Sequence, residues 1–388
     1  MKRLLFCIEN FKHGGIPQAL NHLVSLLDKD KYEISIFVVN PSEGPYKQIF
    51  KSYLKYEEDK LLEFCCLNYK EKKGIEKYAL ISFKLFRKSF SKIFKFDIFK
   101  FRLNKWRKRI SNDNFDCVIA FAEGYLTEFV SGITGKKIAW IHMDYKRLQP
   151  ILKINEENFY EKFEKIIIPS KFSVNSFIDV YPKLSNKVVN IPNLLNQKNI
   201  TNNSESTIPL DKKFKTNKFT IISVGRICYE KRFYEIPEIA KYLKDNSLDF
   251  YWYILGDGSE TEKRILLDNI KKFDVNNEVI LLGNKSNPYP YIKNSDLLVC
   301  LSFSETFSYV VYEAKTLGVP IILTDVGSVD EIISSNEGIV SKLNEIGPHI
   351  LSLLNNKQEK LLSIKDNLKH YHYDNSLILN KLEKIFNT

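Results

Sequence analysis

The chain reads as an α/β protein built from two Rossmann-like, doubly wound domains, and three observations carry that reading. Apolar runs alternate with helical patterns through both halves of the sequence. A polar stretch, residues 196–218, separates the two series. At 388 residues the chain is long enough for two cores. Short apolar runs spaced by helical patterns indicate parallel strands joined by crossover helices, with both sheet faces covered.

In the first half the strand candidates are Leu4–Ile8, Ile34–Val39, Phe64–Leu67, Cys117–Phe121, Ile138–Ile141 and Ile166–Ile168. Helical periodicity appears between several of them, as in Pro17–Leu27 and Phe172–Val180. Residues 196–218, NQKNITNNSESTIPLDKKFKTNK, are rich in Asn, Ser, Thr and Lys and read as an interdomain linker. The second series runs Phe219–Val224, Phe250–Leu255, Val279–Leu282, Leu297–Leu301 and Ile321–Leu323. The organisation expected is therefore a first domain over 1–195, the linker 196–218, a second domain over 219–370, and a terminal helix within 371–388.

Net charge is +11, from 58 basic and 47 acidic residues, which points to an anionic partner. The six cysteines include no C-x-x-C pair, and most lie in apolar runs, so they read as reduced core residues of a cytosolic protein. The start, MKRLLFCIENF, has too short an apolar run for a signal peptide and reads as a first strand. No run approaches the roughly 20 apolar residues of a membrane span.

The richest segment is SFSETFSYVVYEAKTLGVPIILTDVG, from Ser302 to Gly327. It reads as loop, helix and strand following an apolar strand. Glu305 would stand at a strand's carboxyl end, where such sheets bind ligands. Glu313 lies eight residues on, in the helix. The helix start offers backbone N–H groups to an anion. A carboxylate beside an anion site suits a ligand with phosphate and hydroxyl groups. Upstream, Gly225-Arg226 closes a strand and Lys231 follows; a fork-shaped and a point cation could both reach one diphosphate.

These motifs resemble those of retaining glycosyltransferases of the GT-B type, close to family 4, with their E-x7-E signature and G-R-x-x-x-E-K element. The resemblance implies a metal-independent enzyme that moves a hexose or N-acetylhexosamine from a nucleotide diphosphate sugar, with UDP favoured. The acceptor would be a glycan or lipid-linked molecule in bacterial surface polysaccharide synthesis. Glu305 would bind the donor sugar and Glu313 the ribose; Phe307, Ser308 and Tyr309 would offer amides to the diphosphate. Ser308 stands where the family usually has Gly, and its side chain narrows the approach. Arg226 and Lys231 would clamp the diphosphate, with Arg232 a bystander. In the first domain the turn His13-Gly14-Gly15 would face the donor phosphate and acceptor. His142 would contact the donor sugar near its reacting carbon, and Asp144 would orient the acceptor. Asn284 falls in a loop beside the nucleobase. The terminal helix would pack back on the first domain, as is usual in that family.

No metal site is expected: the six histidines show no H-x-x-x-H spacing, and Asp28-Lys29-Asp30 falls in a turn. Residues 84–109 hold eleven Lys or Arg and one acid, Asp97, among large apolar residues. Phe86, Phe90, Ile93, Phe94 and Phe101 recur at helical spacing. This segment suits an anionic membrane surface, giving a peripheral protein on the cytoplasmic face. Inward packing of its aromatics is one alternative. Nucleic-acid binding is another, although no nucleic-acid motif accompanies it and none is expected as a partner. The rivals to the transferase reading are a non-catalytic or nucleic-acid-associated binding protein and a nucleotide-sugar epimerase.

Overall fold

The computed structural model describes residues 1–387 except 13, 41–43, 57–58, 67–73, 95–96, 153–155, 207–210, 216 and 355–357. The chain forms two compact units, Met1–Leu194 with Leu377–Thr388, and Leu195–Ser376. The predicted fold class, α/β with a doubly wound parallel sheet in each half, is what the structure has.

The first unit contains β1 (Lys2–Asn10), β2 (Tyr32–Asn40), β3 (Cys117–Ala120), β4 (Lys137–Trp140), β5 (Lys165–Ile168) and β6 (Val188–Asn190), in the order β2-β1-β3-β4-β5-β6. The second contains β7 (Phe219–Val224), β8 (Phe250–Leu255), β9 (Val279–Gly283), β10 (Leu297–Cys300), β11 (Ile321–Thr324) and β12 (Gly338–Ser341), in the order β12-β11-β10-β7-β8-β9. The pairs are parallel, with Leu4 opposite Cys117 and Leu297 opposite Ile221. Parallel strands covered on both faces cannot alternate in polarity, so they read as continuous apolar runs. The four residues of β3 and those of β10 are all buried. Strand order reverses between β1 and β3 in one sheet and between β7 and β10 in the other. Crevices open at such switch points, at the strands' carboxyl ends.

Several expectations need correction. The run Phe64–Leu67 is not a strand: Lys60–Cys66 is a helix, and Leu67 lies outside the described residues. The Phe64 ring packs edge-on against Phe83 of a neighbouring helix, 4.8 Å between centroids. A short apolar run serves either element, and here helix packing decides. The short strands β6 and β12 had too few apolar residues to be legible. The polar stretch 196–218 is not all linker. It begins with the helix Gln197–Ser204, capped by the Asn196 side chain, which accepts the Asn199 N–H at 3.0 Å, and Ile200 is fully buried beneath it.

The basic aromatic stretch is likewise not one amphipathic helix. It falls into Gly74–Phe94 and Ile98–Asn112, the second capped by Asp97 through the Phe99 N–H. That second helix is anchored inward by Leu103, Trp106 and Ile110. Arg102 and the Trp106 indole both donate to Asp59 Oδ2, at 2.6 and 2.7 Å. Arg109 stacks over Tyr56 and Trp106. Much of its basic charge is therefore structural.

The final helix, Ser376–Asn387, buries Ile378, Leu382 and Phe386 in the first unit, with Phe386 edge-on to Tyr32. Lys2 and Lys136 donate to carbonyls of its last turn, where a helix favours cations. Cys7, Cys65, Cys117, Cys228 and Cys300 are free and buried. No described helix is long and apolar enough to cross a membrane.

Candidate active site

At the second unit's switch point, two glycines let three strand ends close up. Gly225, after β7, has φ +151°, and Gly256, after β8, has φ +147°, both in the region L side chains avoid. A Cβ on Gly256 would sit 1.8 Å from the Gly225 carbonyl oxygen. The Gly225 N–H donates to Leu255 O at 2.9 Å and the Gly256 N–H to Gly283 O at 3.0 Å. From Gly225 the chain runs along the neighbouring loop, where the Ile227 N–H donates to Asp257 O. It then makes the short turn Tyr229–Lys231 and passes Arg232, which has φ +52°. The turn swings Lys231 back to the strand end: its Cε would lie 3.8 Å from a Cβ on Gly225.

There Lys231 meets Glu305. Its Nζ donates to Glu305 Oε1 at 2.5 Å, and Ser302 Oγ donates to the same oxygen at 2.6 Å. The Ser328 hydroxyl donates to the Glu305 carbonyl, and Phe303 N–H to Glu230 O at 2.9 Å ties the two loops together. The Glu305 side chain is only 9% exposed, so its charge needs a partner. Burial works to discharge Lys231, but Glu305 outweighs it and holds the ammonium above its ordinary range. An ammonium has three protons. One is spent on Glu305 and others remain for a ligand.

Arg226 stands exposed at the end of β7, beside Cys228. Arg232, set aside from the sequence as a bystander, lies with its guanidinium carbon 3.3 Å from the Phe303 ring centre and so braces the loop that carries Glu305. Glu313 lies on the helix Tyr309–Thr316 and is 3% exposed. Phe307, Ser308 and Tyr309 lead into that helix, and all three are buried. The Phe307 ring stacks on Tyr312 at 4.3 Å, fixing the approach. Ser308 has φ −86°, an ordinary value, so this backbone does not demand the glycine common in the resembling family. Its side chain makes no cap bond, and its carbonyl accepts the Val311 N–H at 3.0 Å, so the helix start stands just after it. Asn284 stands exposed after β9, the edge strand two places from β7.

In the first unit, Gly14 and Gly15 follow β1 and are exposed; Gly15 opens the helix Gly15–Leu26, and nothing lies within 4 Å of where its Cβ would be. His13 lies outside the described residues. His142 follows β4. Its ring packs on Phe121 at 4.7 Å, and burial pushes the imidazole down to about 3, so it is neutral. Asp144 accepts from Ser176 Oγ at 2.5 Å, and its carbonyl accepts the Leu148 N–H. That contact fixes the start of the helix Tyr145–Leu152.

Glu123 was missed. It follows β3 at the first unit's switch point, and its Oε1 accepts the N–H groups of both His142 and Met143 at 2.6 Å. Burial pushes its carboxyl up to about 7, against the pull of those donors. The available signal was a carboxylate just after a buried strand and just before a glycine. Among the described residues no cluster of three or more His, Cys, Asp or Glu is arranged to hold a metal ion.

Residues 205–371 match the family model described as glycosyl transferases group 1. The chain is 27% identical over 180 residues to an Escherichia coli UDP-Gal:α-D-GlcNAc-diphosphoundecaprenol α-1,3-galactosyltransferase, covering 44% of this chain and 45% of that protein. It is 23% identical over 356 residues to the Escherichia coli O-antigen biosynthesis glycosyltransferase WbnH, covering 89% and 88%. The chain spans about half the length of several curated relatives that it matches. Among solved structures, Anabaena HepE in complex with UDP and glucose superposes with a TM-score of 0.75 at 15% identity, covering all of both chains. That likeness shows a shared fold.

Proposed function

We propose that the chain is a retaining glycosyltransferase of the GT-B, family 4 type. It moves a hexose or N-acetylhexosamine from a nucleotide diphosphate sugar, with UDP favoured, to a glycan or lipid-linked acceptor. Such transfers build bacterial surface polysaccharide, as in capsule or lipopolysaccharide, on the cytoplasmic face of the membrane. The observation that carries this reading is the Lys231–Glu305 pair, 2.5 Å apart at the switch point between β7 and β10, inside the region matched by the group 1 family.

The chemistry follows from that placement. Glu305 accepts hydroxyl hydrogens of the donor sugar. Lys231 and Arg226 face the diphosphate, and Glu313 takes the ribose hydroxyls. During transfer the bond from sugar C1 to the phosphate oxygen breaks, and that oxygen leaves with the electron pair. The acceptor oxygen bonds to C1 on the same face, and its proton passes to the departing phosphate oxygen. Cations fixed beside the leaving group stabilise its growing charge, which can be worth several kcal/mol. These side chains would do what a metal ion does elsewhere. Neutral His142 is assigned to the sugar and Asp144 to the acceptor. Because His142 carries no charge near neutral pH, it can donate or accept a hydrogen bond without repelling developing positive charge at C1.

The test is turnover of a panel of nucleotide sugars by wild type, Glu305→Ala and Lys231→Ala, with the anomer of the product read by NMR. Loss of turnover in both variants and a retained anomer are expected. Near-normal rates in both would refute the assignment, and an inverted product would refute the retaining class.

A further inference from the structure

The helix Tyr309–Thr316 carries a second charged side chain besides Glu313, and the chemistry described so far does not use it. Lys315 is 4% exposed, and burial holds its ammonium below the ordinary range although Glu337 pulls the other way. Lysines are kept in such places only when they are paired. Its Nζ donates to Ile332 O at 2.8 Å and lies 3.2 Å from Glu337 Oε2, with the rings of Tyr312 and Tyr371 4.7 and 4.6 Å away. Ile332 ends the short helix Val329–Ile332, so the ammonium sits where a helix favours a cation. Tyr312 donates to Glu331 O of the same turn at 3.1 Å, and Glu337 accepts the Ser334 N–H at 2.9 Å. The opposite end of that short helix meets the site. The Ser328 carbonyl accepts the Glu331 N–H at 3.0 Å, and the Ser328 hydroxyl, itself buried, donates to the Glu305 carbonyl. One short turn of backbone therefore runs from Lys315 to Glu305. At about 100° per residue, Glu313 and Lys315 project from opposite sides of their helix.

We infer that Lys315 is a positioning residue for Glu305, acting through the strut Ser328–Ile332. A buried ion pair is weak support for stability, since an apolar side chain of the same size often does as well. What the ammonium adds is direction: it draws one end of the strut towards the helix Tyr309–Thr316, and the other end fixes the backbone of Glu305. The loop that carries Glu305 is held at its start by Thr324, whose hydroxyl donates to Ser302 O at 2.7 Å. Ser328 holds it at Glu305 itself, so the strut sets where the carboxylate stands opposite Lys231. The effect on transfer rests on Glu305 being the donor-sugar residue.

The experiment compares the full-length chain with Lys315→Met, Lys315→Met/Glu337→Gln, Ser328→Ala, and the last two combined. Methionine keeps an unbranched stem between the two rings, and glutamine removes the charge that Lys315→Met alone would strand, so the paired variant guards against loss of folding. Amide hydrogen exchange is read without ligand. Affinity for UDP and for the UDP-sugar that the turnover panel selects is read by calorimetry, together with kcat. Exchange over residues 303–306 and 328–333 is expected to quicken at least about threefold, with that over 219–224 unchanged. UDP affinity should stay within about threefold, while kcat and the added affinity for the sugar fall about tenfold. Ser328→Ala should give the same pattern, and the combined variant should lose no more than the larger single loss, because both changes cut one path. Unchanged exchange over 303–306 would overturn the inference. So would losses that add in the combined variant, or a fall in UDP affinity as large as that for the sugar, which general loosening of the fold would give. Quickened exchange with sugar affinity kept even by Glu305→Ala would uphold the strut and count against Glu305 as the donor-sugar residue.

Discussion

The two switch points place a carboxylate in the same topological position and treat it in opposite ways. In the second unit Glu305 is met by an ammonium and a hydroxyl, so its charge is compensated by side chains. In the first unit Glu123 is met by two backbone N–H groups, and burial pushes its carboxyl up to about 7. One arrangement fixes an ion pair that a phosphate ligand can join. The other leaves a carboxyl that titrates near neutrality and decides how firmly the His142–Met143 backbone is held. Topology determines where a site lies, but the partners supplied by the adjacent loops determine what it can do.

Substitutions can break that contrast, beginning with the pair itself. Lys231→Ala and Glu305→Ala are each expected to lower kcat/KM for the donor about 10²- to 10³-fold, as measured by steady-state turnover. His142→Ala should be milder if the first unit only positions. Gly256→Ala comes next. The added Cβ collides with the Gly225 carbonyl and forces apart the strand ends that aim Lys231. A loss of roughly 2–4 kcal/mol in urea unfolding is expected.

Glu123→Gln tests the other half of the comparison. Its folded carboxyl lies above the unfolded value, so the folded state holds the proton more tightly. The resulting stabilisation is full below about pH 4.5 and is lost as pH rises to about 7. Over that window wild type should lose roughly 2–3 kcal/mol relative to Glu123→Gln in urea unfolding at stepped pH. A pH-independent difference would show that Glu123 does not titrate there. The smallest effect is expected for Ser308→Gly. The backbone there is relaxed and the hydroxyl makes no cap bond, so the donor KM should move less than about threefold.

Most strands of both sheets were legible because parallel strands buried on both faces are unbroken apolar runs. The four-residue helix-like run around Phe64 was not, since its packing partner Phe83 is distant in sequence. Asn196 and Ile200 sit in so polar a stretch that their helix was hidden. In the second unit the local motif around Glu305 and Lys231 was readable, because each lies soon after its strand and strand ends are where ligands bind. Their direct pairing was not readable, because it depends on β7 and β10 being neighbours although β8, β9 and the helices between them intervene in the chain. Glu123 stood in view after its strand, but its role did not, for a related reason: its partners are backbone amides, which leave no mark in a sequence. The basic stretch misled because guanidinium groups stacked on rings look the same in composition as solvated ones.

The central claim is that Lys231 grips the donor's diphosphate while Glu305 holds the sugar. Calorimetric titration of UDP and of a UDP-sugar into wild type, Lys231→Ala and Glu305→Ala tests it most directly. Lys231→Ala should bind both ligands at least about tenfold more weakly, from the loss of a charge-assisted contact. Glu305→Ala should keep UDP affinity while losing the added affinity for the sugar. Unchanged UDP binding by Lys231→Ala would contradict the account.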